Sequence, residues 1–320
     1  MRSITRKIET LRRATAESRV QAKPETFKRL IENDLPKKDV LAVARAAGVM
    51  AAKKTSELLP YCHPIAIDWV DIEYELQETS VIIRATVEAV AKTGVEMEAL
   101  TAASVAALTV YDMLKPIDAE IEILNTKLLR KTGGKSSFKE KIPSGFKAAV
   151  IVTSDSTSKG LRSDKSGRLI KERLVSFGIE PHFEVIPDEK SLISSTIRRY
   201  CETGMNLIVT TGGTGLGPRD VTVEATEAVI DRQIPGVMES ARCYGQRRTP
   251  YAMLSRGIAG QKGKTLIVNL PGSSKGVEES LDAIFPSLLH AYKMMRGGGH
   301  NSPLDPPSLI KEGGTGGVWP

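Results

Sequence analysis

The stretch from Leu207 to Thr222, LIVTTGGTGLGPRDVT, decides the fold of the second half of the chain. Leu207, Ile208 and Val209 read as a buried parallel strand, and the run passes directly into Gly212, Gly213, Gly215 and Gly217 before polar, helix-starting residues. Strand, loop, helix is the repeating unit of an α/β sheet. Glycines leave no Cβ in the way and reach positive φ, so successive N–H groups can turn toward an anion at the positive end of the next helix. A plain tight turn would explain the glycines equally well. Asp220, just past them, tips the reading toward a ligand, because a carboxylate there can hold a metal or a ligand N–H beside a phosphate. The lysine-ended phosphate loop of common nucleotide hydrolases is absent, so a different nucleotide or pterin site is expected.

Working outward, strands and helices alternate. Ala148 to Thr153 is a buried-type strand, Lys165 to Phe177 an amphipathic helix closed by Gly178, and His182 to Ile186 a second strand. A helix from Ser191 to Thr203 precedes Gly204, Pro235 to Tyr244 reads as helix, Thr265 to Leu270 as strand, and Gly276 to Met295 as a closing helix. This alternation predicts a three-layer α/β domain with a mostly parallel sheet. Ligands of such sheets sit at the carboxyl ends of the strands. That rule selects Ser154 and Asp155, then Asp188, then Gly212, Gly213, Thr214 and Gly215, then Pro271, Gly272 and Ser273. An aspartate after a strand is often only a helix cap. Three of them at one edge, Asp155, Asp188 and Asp220, point to a shared function.

The first half reads differently. Arg19 to Ala22 forms a short strand before a charged stretch ending at Asp39, and apolar residues recur at helical spacing from Val40 to Leu59, between an Asp39 N-cap and Pro60. Trp69 to Leu76 and Val81 to Val90 alternate as a hairpin, Glu96 to Leu114 is a second helix stopped before Pro116, and Ile121 to Leu129 is a last strand. Strand, helix, strand, strand, helix, strand predicts an α+β, ferredoxin-like domain. The segment KEKIPSG, Lys139 to Gly145, mixes charge, Pro and Gly and separates the two patterns, giving domains over 1–143 and 144–296. Residues 297–320 are rich in Gly and Pro and read as a flexible tail in which His300 is inert.

Composition narrows the function. A net charge of +7 suits an anionic partner, while aromatics at 5% leave no stacking platform for single-stranded nucleic acid, so a phosphate-bearing metabolite is expected. Three widely spaced cysteines, Cys62, Cys201 and Cys243, support neither a disulfide framework nor a zinc ribbon. No apolar run is long enough to span a bilayer, and the expected compartment is the cytoplasm.

The chemistry of the first half gathers at helix ends. Tyr61, Cys62 and His63 follow the first helix, Glu96 and Glu98 open the second, and Asp112 and Lys115 share a face of it. Lys131, Gly133, Gly134 and Lys135 form a basic loop suited to phosphates. Each has a bland alternative: a shaped turn, dipole complementation, a surface ion pair. In this order, however, CHP, then AKTGVEMEALTAASVAALTVYDMLK, then KTGGKS closely resemble cyclic pyranopterin monophosphate synthase of molybdenum cofactor biosynthesis. The resemblance covers roughly Lys7 to Phe138. It implies conversion of a GTP-derived cyclic triphosphate to cyclic pyranopterin monophosphate with release of pyrophosphate. It further implies that Asp112 is the acid/base residue, that Lys37, Lys115 and Lys131 are pocket lysines, and that Tyr61 to His63, Met97 and Glu98 line the substrate site. Lys38 stands where that family usually has Gly.

The combination SDSTSKG, PDE, TTGGTGLGPRDVT, LSRG and NLPGS looks like molybdopterin adenylyltransferase and its close relatives, over about Lys147 to Met295. It implies adenylyl transfer from ATP to molybdopterin, with Asp188 and Asp220 matching the catalytic aspartates and holding the Mg2+ of the nucleotide. The first family is typically a hexamer and the second a trimer, so a hexamer of this chain is expected. Two rivals are a second half that only holds molybdopterin, and a nucleic-acid-binding protein resting on charge alone.

Overall fold

The computed structural model describes residues 1–134, 137 and 142–297. The chain divides into two compact units between residues 138 and 139.

In the first unit the order is β1 (Thr10–Gln21), α1 (Pro24–Ile31), α2 (Val40–Lys53), α3 (Thr55–Leu58), β2 (Trp69–Leu76), β3 (Ser80–Ala91), α4 (Glu96–Leu114) and β4 (Glu122–Thr132). The four strands pair antiparallel in the order β2-β3-β1-β4, so this unit is an antiparallel sheet with helices, the α+β class expected. Small residues make the packing close. Ala99, Ala102, Ala103, Ala106 and Ala107 of α4 share one buried core with Ala14, Ala16, Ala85 and Ala89 of the sheet, and Ala102 and Ala106 lie against Gly48 of α2. Although α4 is long and apolar enough to cross a membrane, this face packs into the core, as in a central core helix.

Two expectations are corrected here and a third is refined. The first strand is twelve residues, not the four of Arg19 to Ala22, because its inward positions are Ala14, Ala16, Ser18 and Val20, too small to stand out as apolar alternation. The helix expected over Val40 to Leu59 breaks at Lys54, where the Thr55 hydroxyl donates to the Ala51 carbonyl and competes for the helical ladder. Asp39 does stand at the N-cap, its carbonyl accepting from Val43 N at 2.9 Å, but its side chain makes no cap bond. Its backbone is left-handed at φ +58°, its N–H donates to Asn33 Oδ1 at 3.1 Å, and its carboxylate accepts from Asn33 Nδ2 at 3.3 Å.

Asp118, buried after α4, ties its turn to the start of α1. It accepts from Lys23 N and the Thr26 hydroxyl through Oδ2, at 2.9 and 2.8 Å, and from Glu120 N through Oδ1 at 2.9 Å. Burial works to raise its pKa, but these donors more than offset it and hold the carboxyl below its ordinary value. Its contribution to stability is therefore full at neutral pH and is lost only as pH falls through that depressed value. Asp118→Ala is expected to destabilise the unit by about 2–4 kcal/mol, since three donors lose a charged acceptor. Denaturant unfolding checks this; a loss under about 0.5 kcal/mol would contradict it.

The second unit runs β5 (Ala148–Thr153), α5 (Asp155–Ser158), α6 (Ser166–Val175), β6 (His182–Ile186), α7 (Lys190–Glu202), β7 (Leu207–Thr211), α8 (Thr222–Glu227), β8 (Arg232–Gln233), α9 (Pro235–Gln246), β9 (Ala259–Lys262), β10 (Thr265–Leu270), α10 (Ser274–Ile284) and α11 (Ala291–Met294). The sheet order is β6-β5-β7-β10-β9-β8, parallel through β10 and antiparallel at the β9 and β8 edge. Alternate residues of β5 face two cores. Ala148 and Val150 join α6, α9 and α10, while Ala149 and Ile151 join α7 and α8, so the three layers expected are present. The closing helix is shorter than the predicted Gly276 to Met295. It ends at Ile284, where Phe285 turns extended (φ −97°, ψ 144°) before Pro286, whose ring clashes with a helical predecessor.

Candidate active sites

In the first unit, the last turn of α4 carries Asp112 between two lysines. Lys115 Nζ lies 2.7 Å from Oδ1, and Lys37 Nζ donates to Oδ2 at 2.7 Å and to the Asp112 carbonyl at 3.0 Å. Lys115 and Lys37 together hold the Asp112 carboxyl down at about 2, so it is ionised at any physiological pH. The three side chains are about half exposed, and the pairs are open to competition by another anion.

The other expected residues gather at the opposite end of α4. Lys131 Nζ donates to Glu96 Oε1 at 2.9 Å, and Arg12 faces the same carboxylate while donating to the Ala91 carbonyl at 3.1 Å. Burial opposes the charge of Glu96, but Lys131 keeps its pKa below the ordinary value. Glu98, two residues on, is buried with Oε2 lacking a hydrogen-bond partner, and its burial raises its pKa. Burial also raises the thiol of Cys62, and the charge of Glu98 adds to that shift. Tyr61 and Met97 are exposed nearby in the chain, His63 is half-buried, and Lys135 lies outside the described residues.

The expected single set is thus two. Sixteen residues of helix separate Glu96 from Asp112, roughly 24 Å at a rise of about 1.5 Å per residue. Within one protomer Lys131 sits with Glu96 and not with Asp112. Arg12 was not singled out in the sequence, since a strand arginine beside Arg13 carries no motif of its own.

In the second unit the carboxyl edge of the sheet assembles as expected. Asp155 and Asp188 are reciprocally bound: Asp155 N donates to Asp188 Oδ2 at 3.0 Å, and Asp188 N to Asp155 Oδ1 at 3.1 Å. Arg219 grips Asp155 with Nε and Nη2 at 3.0 and 2.9 Å. Asp188 keeps its other oxygen, Oδ1, buried and without a partner, 3.4 Å from where a Cβ on Gly213 would stand. Burial and the neighbouring Asp155 and Asp220 carboxylates raise the Asp188 pKa. Asp220 Oδ2 accepts from Gly217 N at 2.7 Å.

Two glycines of the loop are conformationally required. Gly212 and Gly213 have φ of +102° and +61°, and added Cβ atoms would lie 2.1 Å from the Thr153 carbonyl and 2.2 Å from the Thr222 hydroxyl. Thr214 is buried, and the Thr211 hydroxyl donates to the Pro271 carbonyl at 2.7 Å, tying the loop after β7 to the one after β10. Ser154 and Ser273, expected to bind substrate, are occupied as helix caps, accepting from Thr157 N and Gly276 N.

Among the described residues, cavities border this edge. Met238, Arg242, Tyr251, Pro271, Ser273 and Lys275 line one of about 290 Å³ with apolar walls. Asp188, Lys190 and Arg219 border a second of about 600 Å³, and Asp220, Lys190 and Arg256 a third of about 520 Å³. Arg219 and Arg256 were legible only as letters inside quoted motifs, and Lys190 lies just outside one, because pairing across loops has no sequence spacing. Among the described residues no three His, Cys, Asp or Glu side chains converge on a metal position. Two carboxylates, one with an orphaned buried oxygen, are the donor type that Mg2+ takes when a nucleotide supplies the remaining oxygens.

Comparison with known proteins gives the same two-part division. Residues 1–134 match the model of the MoaC family, and residues 149–290 match that of the probable molybdopterin binding domain. Over 301 residues the chain is 43% identical to the molybdenum cofactor biosynthesis bifunctional protein of Chlorobaculum tepidum, covering 94% of this chain and 96% of that protein. It is 55% identical over 137 residues to the cyclic pyranopterin monophosphate synthase of Brevibacillus brevis, covering 42% of this chain and 86% of that enzyme. The solved structure of the molybdopterin biosynthesis enzyme MoaB of Thermus thermophilus is 45% identical, spans 48% of this chain and 97% of that chain, and has a TM-score of 0.45.

Proposed function

The chain belongs to the bifunctional proteins of molybdenum cofactor biosynthesis, and from that premise we propose that each unit is an enzyme. The first converts a GTP-derived cyclic triphosphate to cyclic pyranopterin monophosphate and releases pyrophosphate. The second adenylylates molybdopterin with ATP.

The observation that carries the first assignment is Asp112 held between Lys37 and Lys115. Both lysines are exposed enough to turn to substrate phosphates. Once they do, the carboxylate loses the partners that depress its pKa and becomes a base able to take a proton at its own position. At the other end of α4, Glu96 and Glu98 can accept ring N–H groups, while Lys131 and Arg12 neutralise charge.

One substrate molecule cannot reach both ends of a helix roughly 24 Å apart within one protomer. We therefore place the site between two copies related by a twofold, the Asp112 end of one facing the Glu96 end of the other. A threefold acting on such pairs closes an assembly of six chains. Mixing tests this directly. Lys115→Ala and Lys131→Ala chains are each expected to be inactive in pyranopterin formation. Mixed in equal amounts and allowed to exchange, they are expected to recover about a quarter of wild-type activity, because random pairing restores one intact site in each mixed pair. No recovery in chains shown to exchange would put all these residues on one protomer's reaction path.

In the second unit, Asp188 Oδ1 and the Asp220 carboxylate are the groups that would hold a nucleotide's Mg2+, whose role when bound is to neutralise phosphate charge. The glycine loop supplies N–H groups to phosphate oxygens, and the apolar cavity beside Pro271 has room for a fused ring. Arg219 is held off by Asp155 until an anion competes for it.

A further inference from the structure

Arg256, the arginine of the LSRG motif, spans the glycine loop from one side to the other. Its backbone N–H donates to the Thr214 carbonyl at 3.0 Å. Its guanidinium donates from Nε to the Gly215 carbonyl at 2.7 Å, from Nη2 to the Asp220 carbonyl at 2.6 Å, and from Nη1 to the Glu224 carboxylate. One planar fork thus joins the middle of the loop, the residue carrying a proposed ligand carboxylate, and the first turn of α8.

The peptide planes follow from those bonds. In a trans peptide the C=O and the following N–H point in opposite directions. Drawing the Thr214 and Gly215 carbonyls toward Arg256 therefore turns the N–H groups of Gly215 and Leu216 away from it. Arg256 also borders the cavity that Asp220 and Gly217 line, so it supports the loop from that flank.

We propose that Arg256 is a positioning residue of the second site: its fork fixes the peptide planes of the glycine loop so that their N–H groups meet a ligand phosphate, and fixes Asp220 through that residue's own carbonyl. The inference rests on the reading that this site takes a phosphate-bearing ligand. Lysine cannot replace it, because one ammonium nitrogen cannot bridge acceptors on Gly215, Asp220 and Glu224 in a fixed plane.

The test uses the full-length wild type, Arg256→Ala, Arg256→Lys and, as a stability control, Met205→Ala, which truncates a buried side chain just before β7. Molybdopterin binding and adenylyl transfer from Mg-ATP are measured well below every melting temperature. Arg256→Ala and Arg256→Lys are both expected to bind molybdopterin about tenfold more weakly and to turn over about 100-fold more slowly, since a shift of about 1 Å in a positioned group has that effect. Met205→Ala is expected to match wild type in both. If wild type transfers adenylyl and either Arg256 variant equals it, the Arg256 proposal is overturned alone. If wild type binds molybdopterin without transfer, the adenylylation reading is lost, and Arg256 stands or falls on the tenfold loss of affinity. Wild type that binds no molybdopterin overturns both, and a Met205→Ala loss matching that of the Arg256 variants reduces Arg256 to a structural link.

Discussion

Asp112→Asn is expected to lower pyranopterin formation by about 10³-fold while leaving melting temperature and assembly unchanged, because a positioned general base contributes about 10²–10⁴-fold. The side chain is half exposed, and its ion-pair partners are Lys37 and Lys115, not core residues. The asparagine keeps the shape and removes the charge. Lys115→Ala should behave alike through lost phosphate contact. The pH dependence adds a second readout. With its carboxyl held at about 2 in the free protein, Asp112 is ionised throughout the working range, so kcat/KM should show no acid limb from it above about pH 4. In the complex the lysines serve the substrate, the depression is relieved, and the acid limb of kcat should lie at higher pH. Unchanged turnover in Asp112→Asn would remove it from the mechanism.

Asp220→Asn is expected to slow adenylyl transfer by about 10²–10³-fold, the usual effect of removing one group that stabilises developing charge. Molybdopterin affinity should change by less than about threefold, since the charge acts on the metal nucleotide and the neutral amide is nearly isosteric. The amide oxygen can still accept from Gly217 N, so the loop keeps its turn. A parallel collapse of molybdopterin binding would mean that Asp220 is only a loop support.

What the sequence displayed depended on side-chain size. The strand at Leu207 and the helix at Glu96 stood out because large apolar residues or long alanine periodicity mark them. The strand from Thr10 to Gln21 did not, since its buried positions are two alanines, a serine and a valine among charges. The helix Pro24–Ile31 was passed over as a charged stretch, although Phe27 and Leu30 are its buried anchors. The short β8 and β9 pair has too few residues for any period to show. At the sites, Asp112 and Lys115 were legible as neighbours from a three-residue spacing on one helix. Lys37 meets Asp112 across 75 positions, and Arg256 meets Gly215 across 41, distances that only the fold closes. Within one protomer Glu96 and Asp112 are kept apart by the length of one helix, a distance that the motifs do not carry as letters.

The central claim is that one chain carries two independent active sites, and a crossed assay tests it most directly. Wild type, Asp112→Asn and Asp220→Asn full-length chains are each given the cyclic triphosphate, and separately molybdopterin with Mg-ATP, and both products are quantified. Wild type is predicted to make cyclic pyranopterin monophosphate and adenylylated molybdopterin, Asp112→Asn only the second, and Asp220→Asn only the first. Wild type that forms no adenylylated molybdopterin, or a single substitution that removes both products, would contradict it.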